Sequence, residues 1–366
     1  MKLIGQNSAR VWGGNEKWLS NLARGLRERG HEIVVSCRGG PVEENFRSLG
    51  FRTTSVRPRG EFDVPSALRF AHWLREEKPD AVLFTSWVPT VLGAWAARAA
   101  NVRPVVVRLG IVREFPTSPG RAFAFRRWID ALIVNSEEIR DVWLAGAGDY
   151  PANRVHVILN GVESTRGKRD ELRRALREEL RLSATTILYG GAGHLFPRKG
   201  FDILLRGFAA AAIPDSRLAI LGDGDDANAL RSLAGELRID DRVHWLGRRP
   251  NGAEIIAGFD AFVLSSRNEG MANVMLEAMA AAVPVIAADV SGARKALAPT
   301  AERPQAGRIV PRDDVEALAN ALLDVAASLR GDPRDLQSSL DEAHWRIRNW
   351  FSIEQMIDEC EVVLTG

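Results

Sequence analysis

Residues 261–287 read AFVLSSRNEGMANVMLEAMAAAVPVIA, and this stretch decides the fold class. Ala261–Leu264 and Val285–Ala287 are short apolar runs bounded by polar or proline residues, the pattern of strands buried on both faces. Between them the sequence predicts a helix over Asn273–Ala282. Strand, helix and strand in so short a span imply a parallel sheet with helices covering its faces. The pattern continues in both directions. Thr186–Gly190, Arg217–Leu221, Val243–Leu246 and a short Arg308–Val310 read as further strands around it. Upstream, a strand beginning near Lys2 is followed by Ile33–Ser36, Ala81–Thr85, Val105–Val107 and Ala131–Asn135. The segment Asn15–Arg29 places Trp18, Leu19, Leu22, Ala23 and Leu26 on one helical face and Arg24, Arg27 and Arg29 on the other, and Gly30 stands where such a helix stops. The fold class expected is α/β, with two Rossmann-like, doubly wound domains. Ser164–Arg181, dense in Arg and Glu, reads as a hinge followed by a solvated helix. Two such domains would face each other across a cleft at their strand C-termini, the default place for an active site.

The 366 residues suit two domains, and 46% hydrophobic content is ordinary for packed protein. Two cysteines, Cys37 and Cys360, exclude a disulfide framework or a zinc site and point to a reducing cytoplasm. No apolar run approaches the roughly 18 residues of a membrane span, and the start of the chain does not read as a signal peptide. The near-neutral net charge of +2 conceals an asymmetry. Residues 1–160 carry 23 Lys+Arg against 16 Asp+Glu, whereas residues 161–366 carry 26 against 31. The basic half suits nucleic acid, anionic lipid or a phosphorylated substrate, although 43 Arg to 6 Lys also fits simple composition bias. No nucleic-acid recognition module accompanies the charge.

Three glycine-bearing junctions carry candidate chemistry. In Glu269-Gly270-Met271-Ala272-Asn273-Val274-Met275-Leu276-Glu277, two carboxylates flank a helix start whose free N–H groups favour an anion. Alone, such a glutamate equally serves the helix dipole. In Gly190-Gly191-Ala192-Gly193-His194-Leu195-Phe196-Pro197-Arg198-Lys199-Gly200, the glycines permit close backbone approach and His194, Arg198 and Lys199 offer donors, or the loop is a basic surface turn. Trp12-Gly13-Gly14-Asn15-Glu16 is a third strand-to-helix junction of the same kind.

Taken together, these segments resemble the retaining glycosyltransferases of family 4, which have the GT-B fold. The likeness continues through Val157-Ile158-Leu159-Asn160-Gly161-Val162-Glu163, Leu221-Gly222-Asp223-Gly224, Val243-His244-Trp245-Leu246-Gly247, Ala278-Met279-Ala280, Val283-Pro284-Val285-Ile286-Ala287, Ser291-Gly292 and Gly307-Arg308-Ile309-Val310. It is dense from about residue 157 to 325 and thinner before that. The resemblance implies an acceptor-binding domain over 1–162, a donor-binding domain over 163–345, and a helix over 346–366 packing onto the first domain.

By the same resemblance, Glu269 would hold hydroxyls of a donor sugar, Glu277 the ribose of a nucleotide, and Lys199 a diphosphate. Glu269, Lys199 and Arg198 are the expected catalytic residues; Gly14, His194, Gly270, Met271, Ala272 and Asn273 would complete the donor site. A departing nucleoside diphosphate builds negative charge that fixed cations stabilise most at the transition state. No metal or other cofactor is implied; Asp223-Gly224-Asp225 fits a D-x-D pattern but falls at a turn. The chain departs from the family in carrying His194 where an arginine is usual, and Arg108-Leu109-Gly110 where a histidine often ends the strand.

On the acceptor side, Trp12, Trp87, Arg108 and Arg113 are the candidates, since aromatic faces stack on sugar rings and arginines hold anions. Arg113–Trp128, REFPTSPGRAFAFRRW, interleaves Phe115, Phe123, Phe125 and Trp128 with arginines, a mix suited to an anionic membrane surface or to packing on its own domain. The function expected is transfer of a sugar from a UDP- or GDP-sugar to a lipid-linked or glycan acceptor, in the cytoplasm or at the inner membrane face. A nucleotide-sugar epimerase and a non-catalytic nucleotide-sugar binder are the rivals.

Overall fold

The computed structural model describes residues 1–332 and 334–366, which divide into two compact units, Met1–Gly161 with Ile353–Gly366, and Val162–Ser352. The first contains β1 (Lys2–Gln6), β2 (Glu32–Ser36), β3 (Arg52–Thr54), β4 (Ala81–Phe84), β5 (Val105–Leu109), β6 (Ala131–Val134) and β7 (Val155–Val157). All pair in parallel, in the order β3-β2-β1-β4-β5-β6-β7. Alternation along each strand builds a core on either face. Ile4, Val34, Val82 and Val105 pack with Phe70, Phe125 and Trp143 on one side, while Leu3, Val35, Leu83 and Val106 pack with Leu19, Leu22, Met356 and Ile357 on the other. Burial of each large apolar side chain contributes roughly 1.5–3 kcal/mol.

The helix Gly14–Glu28 buries Trp18, Leu19, Leu22, Ala23 and Leu26, exposes Arg24 and Arg27, and ends before Gly30 at φ +85°. The helix Ile353–Thr365 lies against it so closely that a Cβ on Gly25 would stand 2.1 Å from Ile357 Cδ1. Residues 346–352, expected as part of one C-terminal helix, instead belong to the second unit, with 346–349 ending the helix Arg334–Asn349 and 350–352 outside any helix.

The second unit contains β8 (Ile187–Ala192), β9 (Ser216–Leu221), β10 (Val243–Gly247), β11 (Ala261–Leu264), β12 (Val285–Ala288) and β13 (Arg308–Val310), parallel and ordered β10-β9-β8-β11-β12-β13. The quoted strand–helix–strand is β11, the helix Asn273–Ala280 and β12, with Val263 opposite Ile286. That helix stops two residues short of the expected end, because Ala282 turns to φ +57°. The helix Arg169–Glu179 is not merely solvated. Asp260 receives Arg173 Nε at 2.6 Å, Arg177 at 2.9 Å and the Leu188 N–H at 2.8 Å, tying the helix to the sheet through a buried charge. Removing one partner of such a pair costs about 3–5 kcal/mol. Both strand orders follow the doubly wound pattern, which directs the chemistry to the loops at the C-terminal strand ends.

Candidate active site

In the second unit, the loops after β8, β9 and β11 nest where side chains would collide. A Cβ on Gly222 (φ +142°) would lie 1.8 Å from the Gly193 carbonyl oxygen, and one on Gly200 (φ +62°) would lie 2.1 Å from that of Ser265. Glycine therefore permits residues 193–200 to lie directly against residues 265–269. Lys199 forms an ion pair with Glu269, while an Arg198 guanidinium nitrogen stands 3.8 Å from the same carboxylate oxygen and Ser266 Oγ at 3.3 Å. Glu269 is only 8% exposed, so its charge is held by protein partners rather than bulk water.

Arg267 fastens the two loops, and no motif marks it in the sequence. It donates to both Asp202 oxygens at 2.9 and 2.7 Å, to Asp313 at 2.6 Å and to the Pro197 carbonyl at 2.5 Å, while its own N–H reaches the Arg198 carbonyl at 2.8 Å. The Asp202 hydrogen bond raises its pKa above the ordinary arginine value despite partial burial. The only signal for it is its place between β11 and Glu269.

His194 lies parallel to Phe196, ring centroids 5.6 Å apart and planes 6° apart. Burial, reinforced by Arg248, Lys199 and Arg198, holds its imidazole below the ordinary histidine value. It is therefore neutral near pH 7, leaving the fixed positive charge of this loop to Arg198 and Lys199. Beyond Glu269, Met271 and Ala272 are buried, and the helix Asn273–Ala280 follows with Glu277 8% exposed. Gly292 fits against the turn because a Cβ there would be 2.2 Å from the Gly270 carbonyl oxygen. His194, Arg198, Lys199 and Glu269 are thus brought together, with Gly270, Asn273 and Glu277 along the continuing turn and helix. The Asp223-Gly224-Asp225 segment is a nested turn, in which Asp223 accepts the Gly224 N–H at 2.9 Å and a Cβ on Gly224 would meet the Leu195 carbonyl oxygen at 2.5 Å.

In the first unit, Gly14 opens the helix Gly14–Glu28 at the end of β1. Glu16 accepts from the Gly13 N–H at 2.9 Å and from Asn7 at 2.8 Å, and Asn15 donates to the Thr85 carbonyl at 2.8 Å. Arg108, expected as an acceptor contact, is 6% exposed and sits inside this network. It donates to Asn15 at 2.7 Å and Asn160 at 3.0 Å, with its guanidinium carbon 4.1 Å from the centroid of Trp18. Burial lowers its pKa to about 10. The strand β5 carries it beneath the glycine loop, which it braces through Asn15.

Trp12 packs edge-on to Phe46 at 4.9 Å, and Trp87 stacks on Phe125 at 5.4 Å with Arg113 4.9 Å over its ring. These half-buried rings are fixed by the core and retain partial access. Of the two readings of Arg113–Trp128, packing on its own domain holds for most of the aromatics: Phe115 and Phe125 are buried among Trp143 and Tyr150, Trp128 packs against the same core, and Phe123 is exposed, at 52%.

Two doubly wound parallel sheets of seven and six strands give the chain the GT-B fold. Residues 12–166 match the family profile described as Glycosyltransferase Family 4, and residues 184–328 the one described as Glycosyl transferases group 1. The chain belongs to this glycosyltransferase family. It is 27% identical over 354 residues to the lipopolysaccharide core biosynthesis glycosyltransferase LpsE of Rhizobium meliloti, covering 94% of each chain. It is 29% identical over 277 residues to a GDP-mannose-dependent monoacylated alpha-(1-6)-phosphatidylinositol monomannoside mannosyltransferase of Corynebacterium glutamicum, covering 71% of this chain and 70% of the relative. In fold it matches HepE of Anabaena, solved in complex with UDP and glucose, with a TM-score of 0.83 at 20% identity over 100% of both chains.

Proposed function

We propose that the protein transfers a sugar from a nucleotide-diphospho-sugar to a lipid-linked or glycan acceptor, with retention of anomeric configuration and without a metal ion, in assembly of a lipopolysaccharide, glycolipid or exopolysaccharide. The observation that carries this reading is the convergence of Arg198 and Lys199 on Glu269 at the ends of β8 and β11. Lys199 and Arg198 would receive the diphosphate and stabilise the charge that grows on the leaving oxygen as the glycosidic bond to phosphate breaks. Glu269, already held between a lysine and Ser266, would accept hydrogen bonds from sugar hydroxyls. Glu277 would take the ribose hydroxyls, and the N–H groups of Met271, Ala272 and Asn273 would assist at the phosphates. The relatives named for lipopolysaccharide core and phosphatidylinositol mannoside synthesis support the acceptor class. Retention and metal independence rest on the family resemblance.

The test is transfer by wild-type protein, Lys199→Ala and Glu269→Ala across UDP-, GDP- and ADP-sugars, with the anomeric configuration of product read by NMR and chelator added in one arm. Each substitution is expected to lower kcat/KM by at least about 100-fold, about 2.7 kcal/mol of transition-state stabilisation. Inverted product, or activity lost with chelator, would overturn the mechanism proposed. Donor consumption without acceptor would indicate epimerisation, and nucleotide binding with no turnover on any pair would indicate a binder.

We also place the protein in the cytoplasm, at the inner membrane face, through the positive charge of residues 1–160 and the exposed Phe123. Charge now supports this location more than the aromatic stripe does, since most of the stripe is core.

A further inference from the structure

At the N-terminal strand ends of the first sheet, three cations are paired. Lys2 reaches Glu77 at 2.6 Å and Glu32 at 3.1 Å, Arg52 reaches Glu77 at 2.5 Å, and Arg98 reaches Asp130 at 2.6 Å. At the C-terminal ends, Arg38 follows β2 and Arg57 and Arg59 follow β3, and none forms an ion pair among the described residues.

These loops are held together. The Cys37 N–H donates to the Thr54 carbonyl at 2.9 Å, and Ser36 Oγ to the Val56 carbonyl at 2.8 Å. The Arg59 N–H is fixed by Ser66 Oγ at 3.1 Å. Nearby carboxylates have other partners: Glu43 accepts from Arg47 at 2.7 Å and Thr53 at 3.0 Å, Glu61 pairs with Arg121, and Asp63 caps the helix Val64–Glu77 by accepting the Ser66 N–H at 3.1 Å. Burial, then the proximity of Arg38 and Arg59, depresses the pKa of half-buried Arg57. Three like charges are therefore gathered on braced loops without a protein counterion, an arrangement that repels itself until an anion joins it.

We propose that Arg38, Arg57 and Arg59 form a binding site for a phosphoryl group borne by the acceptor sugar. The site rests on the transferase reading for the word acceptor, and its place at the C-terminal edge of the first sheet is where doubly wound domains take their ligands. A phosphomonoester suits it because its charge near −2 and three terminal oxygens can engage several guanidinium groups, with bidentate geometry available to each. A neutral sugar would leave the cluster uncompensated.

The test is calorimetric titration of the full chain with glucose 6-phosphate and, separately, glucose, for wild type, Arg38→Gln/Arg57→Gln and Lys199→Ala. Wild type is expected to bind the phosphate ester at least tenfold more tightly than glucose. The double variant should lose that preference while its nucleoside diphosphate binding is unchanged, and Lys199→Ala should keep it. Because the double substitution removes like-charge repulsion, its melting temperature should equal or exceed that of wild type, so lost binding will not reflect unfolding. Equal binding of ester and glucose by wild type would overturn the site, as would a preference that survives in the double variant or disappears in Lys199→Ala. Vesicles of phosphatidylcholine with and without phosphatidylglycerol form the second arm. A double variant that still prefers the phosphate ester but no longer binds the anionic vesicles would reassign the cluster to a membrane surface. Failure of nucleoside diphosphate binding in wild type would instead count against the transferase reading, leaving the phosphate-site result separately readable.

Discussion

His194 is a titratable side chain in the loop that carries Arg198 and Lys199, and its chemistry gives the proposed donor site a pH signature. Burial and three neighbouring cations lower its pKa, so it is neutral near pH 7 and gains positive charge only on acidification below the ordinary histidine range. A diphosphate binds the protonated form better. Donor affinity in wild type should therefore rise as pH falls through the lowered pKa, by about tenfold if one charge-assisted hydrogen bond of roughly 1.4 kcal/mol is gained. His194→Gln should flatten that rise, and His194→Arg should bind tightly without it. Donor dissociation constants measured from pH 8 to pH 5, with donor ionisation allowed for, check this; a wild-type profile unchanged by His194→Gln would refute the role. The position of His194 was readable from the sequence, but its protonation was not, because that depends on Phe196 and Arg248 in three dimensions. Arg108 is a parallel case. Its position near a strand end was readable, but its burial beneath the glycine loop on Asn15 and Asn160 was not, because β5 runs on to Leu109.

Among the elements, the loop from β8 to the helix Phe201–Ala211 positions Arg198 and Lys199 against Glu269, and Gly200 is its pivot. Its φ of +62° disfavours side chains, and a Cβ would stand 2.1 Å from the backbone oxygen of Ser265, which cannot swing aside as a side chain would. Gly200→Ala should push residues 193–200 away from residues 265–269, separating Lys199 from Glu269. The expected outcome is a loss of transfer of at least about tenfold, with destabilisation of about 1–3 kcal/mol from overpacking. Denaturant unfolding together with kcat/KM checks it; unchanged activity would show that the close approach does not matter. Most strands were readable as apolar runs because they are buried on both faces. The exceptions are β3 and β7, three-residue edge strands whose Arg52, Thr53 and His156 are too polar for that pattern. Arg267 was also hidden, since its value comes from joining Asp202 and Asp313, residues distant in sequence.

For the molecule as a whole, the division into a basic and an acidic half was present in the sequence, whereas the pairing of those charges was not. In the first unit Lys2, Arg52 and Arg98 are neutralised while Arg38, Arg57 and Arg59 are not, so part of the positive charge of residues 1–160 is left uncompensated at the C-terminal strand ends. Association with anionic membrane should therefore be electrostatic. Vesicles containing phosphatidylglycerol should sediment more protein than neutral phosphatidylcholine vesicles, and the difference should shrink as salt shortens the Debye length from about 10 Å at 0.1 M to about 3 Å at 1 M. Equal partitioning to both vesicles would contradict this location.

The central claim is that the second unit binds a nucleoside diphosphate through Lys199 and its neighbours. Thermal unfolding of wild type and Lys199→Ala with uridine, guanosine and adenosine diphosphates and their sugars tests it most directly. At 100 times its dissociation constant, the correct ligand should stabilise wild type by about 2.7 kcal/mol and raise the melting temperature, with a much smaller rise in Lys199→Ala at the same concentration. No shift with any nucleotide, or an equal shift in both proteins, would contradict the account.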